Sequence, residues 1–139
     1  MSEPQSESRP CFTFRPHEHL RRPADFQRVY DRRRSVSDHW LIVYARENGL
    51  PYSRLGLSVS RKYGGAVQRN RFRRLCREAF RLTRHELPRG LDLILIPKEG
   101  AEPALRQLQE SLNRLVQSLA RRMNHQTDRA DEETYQPEA

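Results

Sequence analysis

The sequence predicts an α+β fold, a two-layer sandwich in which a mixed four-stranded sheet is covered by three helices. Three observations predict it. Apolar residues recur at spacings of three and four in three segments, near residues 23–30, 66–84 and 105–123. Alternating or continuous apolar runs fill four other segments, at residues 35–37, 40–45, 55–60 and 91–96. Their order is helix, short strand, two strands, helix, strand, helix, and 139 residues with 35% apolar content suffice for one domain with a modest core.

Each element has a local cause. Pro23 sits in the first turn of the first helix, with Phe26, Val29 and Tyr30 at i, i+3 and i+4 on one face. Ser35, Val36 and Ser37 supply a short strand. Trp40, Leu41, Ile42, Val43, Tyr44 and Ala45 are aromatic and β-branched, Asn48, Gly49 and Pro51 supply turn chemistry, and residues 55–60 alternate cleanly. Together these predict an antiparallel hairpin. The next helix, from Ala66 to about Arg84, is stopped by Leu87, Pro88, Arg89 and Gly90. Leu91, Asp92, Leu93, Ile94, Leu95 and Ile96 read as a buried strand closed by Pro97, and Leu105, Leu108, Leu112, Leu115, Val116, Leu119 and Met123 mark a long amphipathic helix. No internal repeat is present.

Charge narrows the function classes. The net charge is +8, yet residues 128–139 hold five acids and one base, so residues 1–127 carry +12. All but two of the 26 bases, Lys62 and Lys98, are arginine, whose planar fork matches phosphate oxygens and whose face stacks on bases. A GC-rich genome would also favour arginine; the net charge nevertheless points to nucleic acid first and an anionic membrane surface second. No apolar run approaches the roughly 18 residues a membrane span needs. Cys11 and Cys76 are far apart and lack metal-type spacing, and the first twenty residues are polar with no apolar signal core. These features predict a reducing, cytoplasmic location. The expected organisation is a flexible arm over residues 1–18, a folded domain over 19–123 and an acidic, disordered tail over 124–139.

The helix that begins at Ala66 carries the strongest functional signal. With Arg69 at zero and successive residues 100° apart, Arg73, Arg77, Arg81 and Arg74 fall at about 40°, 80°, 120° and 140°. Leu82, Leu75, Ala79, Phe72 and Cys76 fall between about 220° and 340°, on the opposite side. Glu78 is the only acid between Val59 and Arg84. Arginines stacked at i,i+4 repel one another by a few tenths of a kcal/mol per pair, a cost that a polyanion lying across the stripe removes. Asn70, a poor helix former, has an amide suited either to a base or sugar edge or to capping a turn.

Residues 56–62 (GLSVSRK), 66–80 (AVQRNRFRRLCREAF) and 91–97 (LDLILIP) closely resemble the protein component of bacterial ribonuclease P. The resemblance runs from about Leu20 to Met123 and includes Asp25, Phe26 and Gln27. It implies an αβββαβα sandwich with a left-handed crossover between parallel strands, where the general rule favours a right-handed one. It also implies a division of labour: an RNA subunit, with Mg2+, removes the 5′ leader of precursor tRNA, while the protein binds that RNA and the leader. By position, Arg69, Asn70, Arg71, Arg73 and Arg74 belong to the RNA-binding signature, with Arg61 and Lys62 beside them and Arg77 extending the stripe. A cleft between the first helix and the sheet would take the leader, lined by Phe26, Tyr30, Ile42, Tyr44 and Ser58. No catalytic residue, metal ligand or protein-held cofactor is implied, and the expected partners are the RNA subunit and precursor tRNA, without DNA or membrane. Two features depart from the family: Arg32, Arg33 and Arg34 stand where a glycine often follows the first helix, and Tyr30 stands where phenylalanine is usual.

Strand period gives independent support for a cleft. Trp40, Ile42 and Tyr44 share one face of their strand, and Gly56, Ser58 and Ser60 share one face of theirs. Small residues opposite bulky ones leave room for nucleotides to stack and hydrogen-bond. Spacing alone makes core anchoring the commoner role for such aromatics; the resemblance assigns Tyr30 and Tyr44 to the cleft, and Phe26 stays open to either. His17, Glu18 and His19 are the only clustered trio of metal-ligand types that includes histidine, and no nucleophile-elbow sequence is present. The rival reading is a general RNA-binding or ribosome-associated protein with no role in cleavage.

Overall fold

The computed structural model describes residues 16–132, with side chains through Met123. In chain order the elements are α1 (Pro23–Asp31), β1 (Ser35–Ser37), β2 (Leu41–Glu47), β3 (Arg54–Leu57), α2 (Ala66–Thr83), β4 (Leu91–Pro97) and α3 (Leu105–Glu132), with short 3-10 turns at Pro16–Glu18, Arg61–Tyr63 and Arg84–Glu86. The strands form one mixed sheet in the order β1, β2, β4, β3.

β4 is central, antiparallel to β2 and parallel to β3, with α2 connecting the two parallel neighbours. The predicted hairpin between residues 40–45 and 55–60 therefore does not form: those strands are antiparallel but β4 lies between them. The Asn48–Gly49 turn explains why. Asn48 donates from its backbone to Gly90 O (2.8 Å) and from its amide to Asp92 (2.8 Å), so the turn docks on the start of β4 instead of closing on β3. A strand apolar on both faces gains most from the central position, and Leu91 through Leu95 are all buried there.

The two sheet faces are packed differently. Val43, Ala45, Leu55, Leu93 and Leu95 meet Phe72, Cys76, Ala79 and Phe80 of α2 and Leu108, Leu112, Val116 and Leu119 of α3 in the main core. Each fully buried Val, Leu or Phe side chain among these contributes roughly 1.5–3 kcal/mol. On the other face α1 alone packs, through Val29, Phe26 and Tyr30, against Tyr44, Ile94 and Leu20. Trp40 does not continue the row of Ile42 and Tyr44: β2 begins at Leu41, and Trp40 packs against the main core. The Asp38 carboxylate accepts hydrogen bonds from the Trp40 and Leu41 N–H groups (2.8 and 3.1 Å), a turn that interrupts the alternation there.

Both boundaries drawn from sequence shift. Glu18 is buried and paired with Arg84, and Leu20 N–H bonds to Leu55 O at 2.8 Å, so the end of the predicted arm is packed against the domain. At the other end α3 continues as helix to Glu132, past the expected boundary at 124, while residues 1–15 and 133–139 lie outside the described residues. No described helix is long and apolar enough to cross a membrane.

Candidate nucleic-acid interface

The N-terminus of α2 is built without a side-chain cap. Gly65 precedes the helix, and Gln68 reaches back to accept its N–H at 3.0 Å. No acid stands in the first turn. The preceding 3-10 turn carries Arg61 and Lys62, both exposed, and is held by Tyr63, whose hydroxyl donates to Ala101 O at 2.7 Å while its ring packs on Phe72. Burial raises the Tyr63 pKa, so the phenol stays protonated and keeps that bond.

Along α2 the cations are distributed selectively. Asn70, Arg71, Arg74 and Arg77 are exposed, and Arg69 and Arg73 are half-buried along their stems. Arg73 donates to Asn70 Oδ1 at 2.9 Å, so the asparagine amide orients a neighbouring guanidinium and does not cap a turn. Among the described residues, Arg61, Lys62, Arg69, Arg71, Arg73, Arg74 and Arg77 form no salt bridge, whereas Arg28, Arg32, Arg34, Arg54, Arg81, Arg84 and Arg114 each hold a carboxylate. Arg81, which the wheel places in the stripe, is taken by Glu78 at 2.5 Å, and its hydrogen bonds hold the Glu78 carboxyl below its ordinary range. The unpaired stripe thus ends at Arg77. Phe80 lies at about 20° on the same wheel, among the cations, yet is fully buried.

Beside the stripe, a cavity of about 510 Å³ is lined by His19, Leu20, Arg21, Leu55, Leu57, Arg73 and Arg77. It exists because the chain before α1 runs parallel to β3, with His19 bridged to Leu55. Burial lowers the pKa of His19, the positive charges of Arg21 and Arg77 lower it further, and Glu18 opposes them. The two arginines act through the same cause, a strongly positive field at the cavity. His17 packs edge-on against Tyr52 at 4.8 Å and Glu18 pairs with Arg84, so the His17, Glu18 and His19 trio faces three different surroundings. Sequence reasoning did not bring His19 and Arg21 to the stripe; the only sign was the apolar Leu20 between charged neighbours.

On the opposite face, Tyr30 meets Tyr44 edge-on at 5.0 Å and Phe26 at 6.5 Å, all three half-buried. The open volume expected at Gly56 is filled: a Cβ there would lie 2.7 Å from the tip of the Phe26 ring and 3.0 Å from Leu20 Cβ. The next row of the sheet is different. Ile42 pairs with Ser37 and Ile96, and Ser58 N–H bonds to Leu95 O, so Ser37, Ile42, Ile96 and Ser58 extend across the sheet, none of them buried. The structure therefore brings Phe26, Tyr30, Tyr44, Ile42 and Ser58 together as a half-open apolar and hydroxyl-bearing trough. It adds Ile96 and Ser37, and alternation with buried Ile94 was the signal for Ile96. Arg32 and Arg34 at its margin are engaged by Glu47 at 3.1 and 3.3 Å.

Cys76 is buried among apolar side chains, which pushes its thiol pKa far up; Cys11 lies outside the described residues. A cationic surface on α2 and an aromatic one on the other sheet face, joined by the short link from Ser58 to Arg61, are what the fold offers a polyanion.

Comparison with known proteins agrees with this geometry. The family model for Ribonuclease P matches residues 14–120. The ribonuclease P protein component of Oleidesulfovibrio alaskensis is 38% identical over 122 residues, covering 81% of this chain and 97% of that protein. The corresponding component of Clostridioides difficile is 37% identical over 99 residues, covering 70% and 87%. Among solved structures, the Staphylococcus aureus RNase P protein superposes with a TM-score of 0.64 at 35% identity, covering 74% of this chain and 94% of that one. The RNase P protein from Thermotoga maritima gives 0.66 at 34% identity, covering 71% and 94%. With the sheet order, the stripe on α2 and these matches in agreement, the chain belongs to the ribonuclease P protein family.

Proposed function

We propose that this ribonuclease P protein subunit binds the RNA subunit through Arg61, Lys62, Arg69, Asn70, Arg71, Arg73, Arg74 and Arg77, and the 5′ leader of precursor tRNA through Phe26, Tyr30, Ile42, Tyr44, Ser58 and Ile96. Hydrolysis then rests with the RNA and its Mg2+. One observation carries this reading: seven cations gathered on and beside α2 have no carboxylate partner among the described residues, whereas nine of the fifteen other described arginines hold one. Phosphates would supply the missing counter-charge, with arginine forks well matched to their oxygens. The trough suits unpaired nucleotides, since Tyr30 and Tyr44 offer ring faces for stacking and Ser58 a hydroxyl. The described residues bring together no three His, Cys, Asp or Glu side chains able to hold a metal ion.

Reconstitution tests the division of labour. The purified protein alone should leave precursor tRNA uncut, and adding it to the cognate RNA subunit at low magnesium should restore 5′ cleavage. Cleavage by the protein alone, or RNA binding with no effect on processing, would replace this reading with a nuclease or with a general RNA-binding protein.

A further inference from the structure

α1 has a small footprint. It is nine residues long and reaches the sheet through Val29, Phe26 and Tyr30, yet it carries two of the three aromatic rings that wall the trough. Its position is fixed at its N-terminal half by two residues of β3. Gly56 admits the Phe26 ring into a space where any Cβ would lie 2.7 Å from it. Two residues earlier, Arg54 gives Nε and Nη2 to Asp92 at 2.8 and 2.7 Å, an arrangement that aims Nη1 at Asp25 of α1, 3.8 Å away. Asp92 is fully buried and also accepts from Asn48 at 2.8 Å, which makes Arg54 a rigid post and not a mobile surface side chain. Asp25 is itself buried and shared with Arg28 at 2.7 Å.

We propose that Gly56 and the Arg54 to Asp25 tether are positioning elements that set the height and tilt of α1, and so the width of the trough between Tyr30, Tyr44 and the Ile42, Ile96 and Ser58 row. None of Asp25, Arg54 and Gly56 has to touch RNA. Their effect reaches the ligand through Phe26 and Tyr30, because a wall displaced by about 1 Å loses the stacking distance on which base contacts depend. The inference rests on the leader reading of the trough, and the test separates the two.

The holoenzyme is reconstituted with Gly56→Ala, Asp25→Asn, Asp25→Glu or Tyr44→Ala protein, and affinity is measured for precursor tRNA with a long leader and for mature tRNA. Gly56→Ala should weaken long-leader binding about ten-fold and Asp25→Asn about three-fold, with mature tRNA and RNA-subunit affinity unchanged and Asp25→Glu restoring the tether. Tyr44→Ala reports on the reading beneath: it should show the same leader-dependent loss. If it does, and Gly56→Ala and Asp25→Asn lose nothing or lose equally on both ligands, the positioning role is wrong. If Tyr44→Ala shows no leader dependence, the leader reading itself falls. Should Gly56→Ala fail to fold, Asp25→Asn, which removes no packing, decides the matter with Asp25→Glu as its control.

Discussion

Arg33 occupies the left-handed region of backbone space, at φ 55°, just after α1, with its N–H bonded to Tyr30 O at 2.9 Å. A side chain with a Cβ is strained in that region, and helices commonly end on glycine for this reason. Here its neighbours Arg32 and Arg34 hold Glu47 from either side, which keeps the turn in place despite the strain. Arg33→Gly should therefore stabilise the protein by about 1 kcal/mol, the relief of strain exceeding the entropy glycine adds to the unfolded chain. A urea titration would show a higher midpoint with an unchanged slope, and a lower midpoint would mean that the arginine side chain contributes more than its backbone costs. That one residue of Arg32, Arg33 and Arg34 must adopt this conformation was half legible: the family resemblance expects a glycine there, but sequence does not say which arginine takes its place.

At the scale of elements, Asp38 joins the β1–β2 turn to α3. Burial pushes its carboxyl pKa up, but hydrogen bonds from Ser111 and from the Trp40 and Leu41 N–H groups, with the Arg114 charge, outweigh that and leave it below the ordinary value of 3.8. A carboxylate with a depressed folded-state pKa adds stability that is fully present above its unfolded pKa and is lost as pH falls through the folded one. Stability should thus decline as pH falls below about 4, and Asp38→Asn should lower stability at neutral pH while flattening part of that acid slope. An acid slope identical in the variant would exclude Asp38 as a contributor. The amphipathic pattern of α2 was legible because its core and cationic arcs are separated by spacing alone. Phe80 was not, since a wheel of fixed angle ignores that this half of the helix lies deeper between the sheet and α3. Trp40 was misplaced for a different reason: the turn held by Asp38 delays the start of β2 to Leu41, one residue after the pattern suggests.

For the whole molecule, local pattern identified every strand and helix but not who pairs with whom. A turn sequence between two strands predicts a hairpin, and only the docking of Asn48 on Gly90 and Asp92 lets β4 pass between β2 and β3. The same kind of non-local pairing sets His19 and Arg21 beside Arg73 and Arg77, and brings Ile96 into line with Ile42 and Ser58. The stripe, the trough and the cavity therefore depend on topology, while the residues that compose the stripe could be chosen from sequence. RNA docking on this stripe should release counterions, and the salt dependence of binding measures that release. Affinity for the RNA subunit should be measured across a range of salt for the native protein and for Arg73→Ala with Arg77→Ala. The double variant is expected to bind more weakly, with a log–log salt slope shallower by roughly one unit for each phosphate that is no longer neutralised. A weaker complex with an unchanged slope, or an unchanged complex, would contradict docking on this stripe.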